Sequence, residues 1–306
     1  MKNVLISGGS GFIGRRLAQE LLARGDRVTV LTRDAARARR HFPERVRCAA
    51  WTPGKEGAWV EELATVDAVV HLAGEPVAQR WSEAVKDRIV KSRVDSTRVL
   101  VEAIGKSAHK PSVFVCASAT GYYGPRPADV TLDEGSEPGQ GFLADVVKRW
   151  EEAARGAEAL GLRTVEVRIG VVLGEGGGAI EKMIIPFKLF GGGPVGDGKQ
   201  VVSWIHRDDV VGMILFALDD DRVKGPLNAV SPNPATSAEL AHGIGAVMNR
   251  PSWISAPTFA LKLAMGEAAE ILTTGQRVYP KKAVELGYEF RHARLVPALE
   301  SILGDR

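Results

Sequence analysis

The sequence predicts an α/β protein, a doubly wound parallel sheet with a smaller C-terminal substrate lobe, on three observations. Short apolar runs alternate with amphipathic stretches through the first half, the pattern of strands joined by crossover helices. The first run ends in a glycine loop that opens a helix. From about Gly174 the alternation gives way to glycine-rich segments and less regularly spaced helices, as a second lobe would require.

Residues 3–7 form the first strand, and Ile13, Leu17, Leu21 and Leu22 then recur at helical spacing. Further strands are expected at 27–32, 46–50, 68–72, 112–117 and 163–167, with a one-faced apolar helix over 94–104. Right-handed crossovers wind such units into a doubly wound sheet. Gly174 to Gly178 precede an apolar helix, and Gly191 to Gly198 read as a flexible loop. Residues 238–248 and 258–272 are helix candidates, with Pro251, Pro257 and Pro280 punctuating the connections. The expected organisation is a nucleotide-binding domain over 1–230, of which about 174–200 contribute to the second lobe, and a small α-rich domain over 231–306.

The chain has 306 residues, 45% of them hydrophobic, enough for a large core and unlike a disordered or fibrous protein. A net charge of +3 is too even to point to nucleic acid or an anionic membrane, yet it suits a small anionic ligand. Cys48 and Cys116 lie in apolar stretches without a C-x-x-C spacing, so they read as buried thiols in a reducing compartment. Residues 1–7 run directly into a strand, leaving no room for a signal peptide, and no apolar run approaches membrane-spanning length. A cytoplasmic monomer or homodimer acting on a small molecule is expected.

Gly9-Ser10-Gly11-Phe12-Ile13-Gly14 satisfies G-x-G-x-x-G, and Gly8, Gly11 and Gly14 also satisfy the G-x-x-G-x-x-G variant. Between a strand and a helix this makes a Rossmann-type fingerprint, whose backbone N–H groups point at a pyrophosphate. The second strand ends in Thr32-Arg33, where an NAD site usually places an acid for the ribose 2′-hydroxyl. A guanidinium there suits a 2′-phosphate, so Arg33, helped by Arg37, indicates NADP. Arg39 and Arg40 read as a solvated basic face.

Several motifs together resemble the extended short-chain dehydrogenase/reductase family, within the NAD-dependent epimerase/dehydratase superfamily. Val69-Val70-His71-Leu72-Ala73-Gly74 is similar to that family's fourth strand and cofactor-contacting turn, and residues 118–124 (Ser-Ala-Thr-Gly-Tyr-Tyr-Gly) to its serine-bearing segment. Residues 168–174 and 204–210 resemble two later signatures. Ala73-Gly74-Glu75, the Arg80-Trp81 pair, and a tail with Arg277-Val278-Tyr279-Pro280 and Leu286-Gly287-Tyr288-Glu289-Phe290 are closest to an atypical YfcH-like branch that ends in a domain of unknown function. The resemblance implies NADP binding, with Leu72, Ala73, Gly74, Glu75, Arg80 and Arg168 near the cofactor, and a substrate pocket between two lobes.

Ordinary members of that family carry a tyrosine and, four residues later, a lysine that lowers its pKa. Here the stretch from Gly141 to Glu151 has no tyrosine. Two alignments place either Leu143 and Val147 or Ala144 and Lys148 at those positions. Ser118 is retained, and Tyr122 or Tyr123 could replace the missing phenol; Asp145 and Lys148 would move protons only if their helix turned them inward. His206, Asp208 and Asp209 carry ligand-type side chains, but the run into an apolar helix favours a helix cap or first-turn acid over a metal site, and no metal is expected. Two functions follow: an NADP-dependent oxidoreductase or epimerase on a small polar substrate, such as a nucleotide-sugar or another carbonyl compound, or an NADP-binding sensor, which the resemblance links to cell division.

Overall fold

A computed structural model describes residues 1–304. The central sheet has seven strands: β1 (Asn3–Ser7), β2 (Arg27–Thr32), β3 (Arg47–Ala50), β4 (Ala68–His71), β5 (Val113–Ala119), β6 (Arg163–Ile169) and β7 (Gly225–Ala229). Their spatial order is β7-β6-β5-β4-β1-β2-β3. Every pairing is parallel. Alternation along each strand feeds two cores: Val4, Ile6 and Val70 face one layer with Leu17, Leu21 and Ile214, while Leu5 and Val69 face Leu100, Ile104 and Trp150 on the other.

The sequence reading missed β7, because Gly225-Pro226 looks like a turn. Proline is tolerated there because β7 is an edge strand. Two strands run longer than expected, and the additions matter. β5 reaches Ala119 and β6 reaches Ile169, so Ser118 and Arg168 are strand residues lying opposite each other in register.

In the second lobe, the helices Ile180–Lys188, Ser237–Met248 and Leu295–Leu303 pack around Leu173, Trp204, Leu240, Ile244 and Leu299. Thr236 and Glu239 form a reciprocal capping box that fixes the start of the middle helix. The helix expected over 258–272 is broken. It runs as Thr258–Met265, turns at Gly266 with φ +63°, and resumes as Glu270–Thr273. The loop from Gly191 to Gly198 is tied down rather than free: Ile254 N–H donates to the Gly192 carbonyl at 3.1 Å, and Val195 bridges Ala256.

Candidate functional site

The chain winds outward from β1 to β3, then returns to β4 beside β1. At such a reversal the helices leave the sheet on opposite faces and open a crevice above the strand C-termini. The glycine loop lies there. Gly8 has φ +69°, and a Cβ on it would lie 2.8 Å from the Ala73 nitrogen, so glycine lets the loop close against the turn after β4. A Cβ on Gly14 would lie 2.5 Å from the Gly8 carbonyl oxygen. The first turn of the helix Phe12–Ala23 therefore sits directly against the loop, and its free N–H groups open into the crevice.

The Phe12 side chain turns away toward the second lobe. A Cβ on Gly177 would lie 2.6 Å from its ring, and Cβ atoms on Gly174 and Gly178 would crowd it as closely as 2.9 and 2.8 Å, which explains those three glycines; the Arg207 guanidinium lies 5.0 Å from the ring centroid. Ile13 packs on the core, leaving its backbone as the part that faces the loop. Ser10 Oγ and Thr32 Oγ1 are 3.3 Å apart at the end of β2. Arg33 follows, exposed, and among the described residues no hydrogen bond or ion pair holds its guanidinium. The neighbouring acid, Asp34, is engaged otherwise: it accepts from the Arg37 N–H at 2.8 Å as the cap of a short helix.

The turn after β4 rests on an arginine that sequence reasoning did not single out. Arg93 Nη1 donates to the Glu75 carbonyl at 2.9 Å, and a Cβ on Gly74 would lie 3.1 Å from its Cζ. Burial pulls its guanidinium down to about 10. The one available signal was its place at the start of the helix Val94–Lys106. Leu72 is half-buried, packed between both cores, and Ala73 is buried. The Glu75 carboxylate lies 3.6 Å from Arg88. Arg80 points away from the loop and donates to the Leu263 carbonyl at 3.1 Å, joining the turn to the second lobe.

Ser118, 4% exposed, donates to Glu151 Oε1 at 2.6 Å. Glu151 also receives both arms of Arg168, at 2.8 and 2.9 Å, and Arg155 at 3.1 Å. Arg168 is internal, as its place at the end of β6 implied, at 1% exposed and braced by Glu151. Tyr123 is corrected as a replacement for the missing phenol. Its ring is buried, its hydroxyl donates to Asn228 at 2.7 Å and accepts from Arg168 at 3.0 Å, and burial pushes the phenol up to about 12. Tyr122 stays half-buried, its ring 3.5 Å from the Arg168 guanidinium.

The structure selects one of the two alignments for the missing pair. A Cβ on Gly121 would lie 3.6 Å from Leu143 and 3.9 Å from Val147, so both apolar side chains face the segment after Ser118. Lys148 instead pairs with Asp145 on the outer face of the helix Phe142–Arg155, at 2.6 Å with both exposed. Neither reaches Ser118 as a proton carrier.

His206, Asp208 and His292 bring potential ligand atoms within 4.8 Å of one another. Their bonding opposes a metal. His206 Nδ1 accepts the Asp208 N–H at 3.1 Å, which fixes the proton on Nε2, and the Asp208 carboxylate is paired with Arg16 at 2.8 Å. The helix cap is thus His206, not an aspartate; Asp208 and Asp209 are first-turn acids, and Asp209 accepts backbone N–H groups from Arg291 and His292.

With this geometry in hand, the chain compares with known proteins as follows. The model of the NAD dependent epimerase/dehydratase family matches residues 4–229, and that of a domain of unknown function (DUF1731) matches residues 256–302. The chain is 42% identical to the chloroplastic epimerase family protein SDR39U1 homolog of Arabidopsis thaliana, over 98% of this chain and 86% of that protein. It is 36% identical to the epimerase family protein YfhF of Bacillus subtilis, over 99% of both. Its fold matches the crystal structure of the human epimerase family protein SDR39U1 with NADPH, with a TM-score of 0.86, 35% identity and 99% coverage of each chain. Among the described residues no helix is long and apolar enough to cross a membrane.

Proposed function

This chain belongs to the NAD dependent epimerase/dehydratase family, and from that premise we propose that it binds NADPH above β1 and β4 and acts on a carbonyl or hydroxyl group beside Ser118. The observation that carries the cofactor choice is Arg33, exposed at the tip of β2 beside Ser10 and Thr32. The glycine loop fits the group as well, because Gly8 and Gly14 let it close against the turn after β4 and the first turn of the helix, where Cβ atoms would clash with backbone. The NADPH named with the human relative supports the same reading. The free, buried Cys48 and Cys116 suit a reducing compartment such as the cytoplasm.

In this reading the N–H groups of the first helical turn, residues 12–14, hold the pyrophosphate and Arg33 grips the 2′-phosphate, while the Gly11 N–H closes the loop on the Gly8 carbonyl at 2.9 Å. When bound, NADPH supplies a hydride from its nicotinamide. Ser118 donates its hydrogen bond to Glu151, so its lone pairs accept from the hydroxyl form of the substrate, the product of hydride transfer to the carbonyl. Tyr122 is the phenol left to exchange a proton with the substrate oxygen, its ring held against Arg168.

The apolar pair Leu143 and Val147 favours a second reading, an NADPH-binding sensor that turns over slowly or not at all. Fluorescence titration of the purified protein with NADPH and NADH tests the shared premise. Wild type should prefer NADPH, and Arg33→Ala should weaken NADPH by about ten- to a hundredfold while leaving NADH unchanged, the loss expected for charge-assisted hydrogen bonds worth roughly 1.5–3 kcal/mol. Equal affinity for both nucleotides in wild type would remove Arg33 from the cofactor site.

A further inference from the structure

Arg93, half-buried at the start of the helix Val94–Lys106, carries a charge that the protein leaves unpaired. Taking a cation out of water is costly unless a counter-charge meets it. Among the described residues no carboxylate forms an ion pair with Arg93; Glu75, near enough to act on its charge, is turned to Arg88 at 3.6 Å. The bonds that Arg93 does make are all on one nitrogen. Nη1 donates to the carbonyls of Glu75 at 2.9 Å and Ile89 at 3.4 Å, and to Ser92 Oγ at 3.4 Å. Nε and Nη2 donate to no described residue, and neither is sealed from solvent. These two nitrogens form the edge of a guanidinium that matches both oxygens of a carboxylate. Arg168 uses that same edge to grip Glu151, at 2.8 Å through Nε and 2.9 Å through Nη2.

Gly74 keeps the Arg93 guanidinium uncovered. It is exposed on the turn after β4, and its φ lies outside the left-handed region, so its backbone would accept any side chain. A Cβ there would lie 3.1 Å from Arg93 Cζ and 3.2 Å from Nη2, so the glycine preserves open space against the charge. The Trp150 ring, 5.2 Å from Cζ and pinned by its N–H to Thr97 at 3.0 Å, supports the guanidinium from the helix Phe142–Arg155. Glu151, the next residue on that helix, holds Ser118, and Val147, one turn before it, faces Gly121. The charge therefore stands between the turn after β4 and the reacting position. We propose that the Nε and Nη2 edge of Arg93, left open by Gly74, binds a carboxylate of the substrate, so that the compound reacting beside Ser118 is an oxo or hydroxy acid. The inference rests on the reading of Ser118 given above and names the substrate class that reading left open.

The test is calorimetric titration of acetate, with acetamide as its neutral counterpart, into the NADPH-loaded protein. Acetate should bind saturably and about tenfold or more tighter than acetamide, the gain expected of charge-assisted hydrogen bonds. Gly74→Ala keeps the arginine and its bond to Glu75 but covers the open edge, and Arg93→Lys keeps a charge but not the parallel pair of donors. Each should weaken acetate by about tenfold. Equal affinity for acetate and acetamide, or acetate affinity unchanged in both variants, would overturn the inference. So would a loss of NADPH affinity as large as the loss of acetate affinity in both variants, since the charge would then serve the phosphates of the cofactor. Acetate carries no reacting group for Ser118, so its binding isolates the carboxylate subsite from that reading, and NADPH titration of wild type reports separately on the cofactor.

Discussion

Arg168→Met tests the buried centre beneath Ser118. Arg168 and Glu151 are each 1% exposed and meet through two hydrogen bonds of 2.8 and 2.9 Å. Methionine fills much of the volume but strands the carboxylate away from water, and breaking a buried pair from one side costs about 3–5 kcal/mol. Two features place the expected loss near 3 kcal/mol, the low end of that range. Arg155 still reaches Glu151 at 3.1 Å from a half-exposed position, and Ser118 still donates to it at 2.6 Å. The lost contact between Arg168 and the Tyr122 ring adds up to about 2 kcal/mol, as for a desolvated cation over an aromatic face. Urea unfolding followed by tryptophan fluorescence reads the sum. Removing both charges, in Arg168→Met with Glu151→Leu, should recover part of the loss, because no unpaired carboxylate remains. A single variant within about 1 kcal/mol of wild type, or a double variant whose loss equals the sum of the two singles, would refute the argument that these charges depend on each other.

Other outcomes follow from the same geometry. Gly14→Ala should weaken NADPH binding by at least about tenfold in fluorescence titration, because its methyl group would sit 2.5 Å from the Gly8 carbonyl and force the loop to move; unchanged affinity would place the pyrophosphate elsewhere. Stability should also depend on pH through two buried groups of opposite sense. His71, held neutral between Ser7 and Ser96, is pulled by burial from 6.5 to about 3, so the unfolded chain binds the extra proton and stability falls as pH drops below 6.5. Glu166 is pushed by burial from 4.5 to about 7, so its protonated form is favoured in the fold and stability is lost as pH rises toward and through 7. Glu166→Gln should therefore raise the urea midpoint near neutral pH and steepen the decline between 6.5 and 4.5, where each such group contributes about 1.4 kcal/mol per pH unit; identical midpoints for wild type and variant across that range would contradict the assignment.

Local chemistry was legible without coordinates. Strand alternation, the glycine spacing and the arginine after β2 each depend on neighbours a few residues away, so the sequence determined the parallel sheet, the loop and the place of Arg33. Other residues could be placed only by contacts across the fold. Arg168 and Tyr123 read as site residues from their motifs, but only the fold shows what holds them: Arg168 is paired with Glu151, 17 residues away, and Tyr123 donates to Asn228, 105 residues away. The choice between Leu143 with Val147 and Ala144 with Lys148 depended on which helix face meets Gly121, and a shift of one residue turns a helix by about 100°. Phe259 and Leu263 read as ordinary helix residues, because periodicity shows that a face is apolar but not whether anything packs against it. The sequence determined which elements form, since hydrogen bonding and burial patterns are local; the tertiary structure decided which polar groups are consumed in the interior and which apolar ones are left exposed, since that depends on partners the chain brings together only on folding.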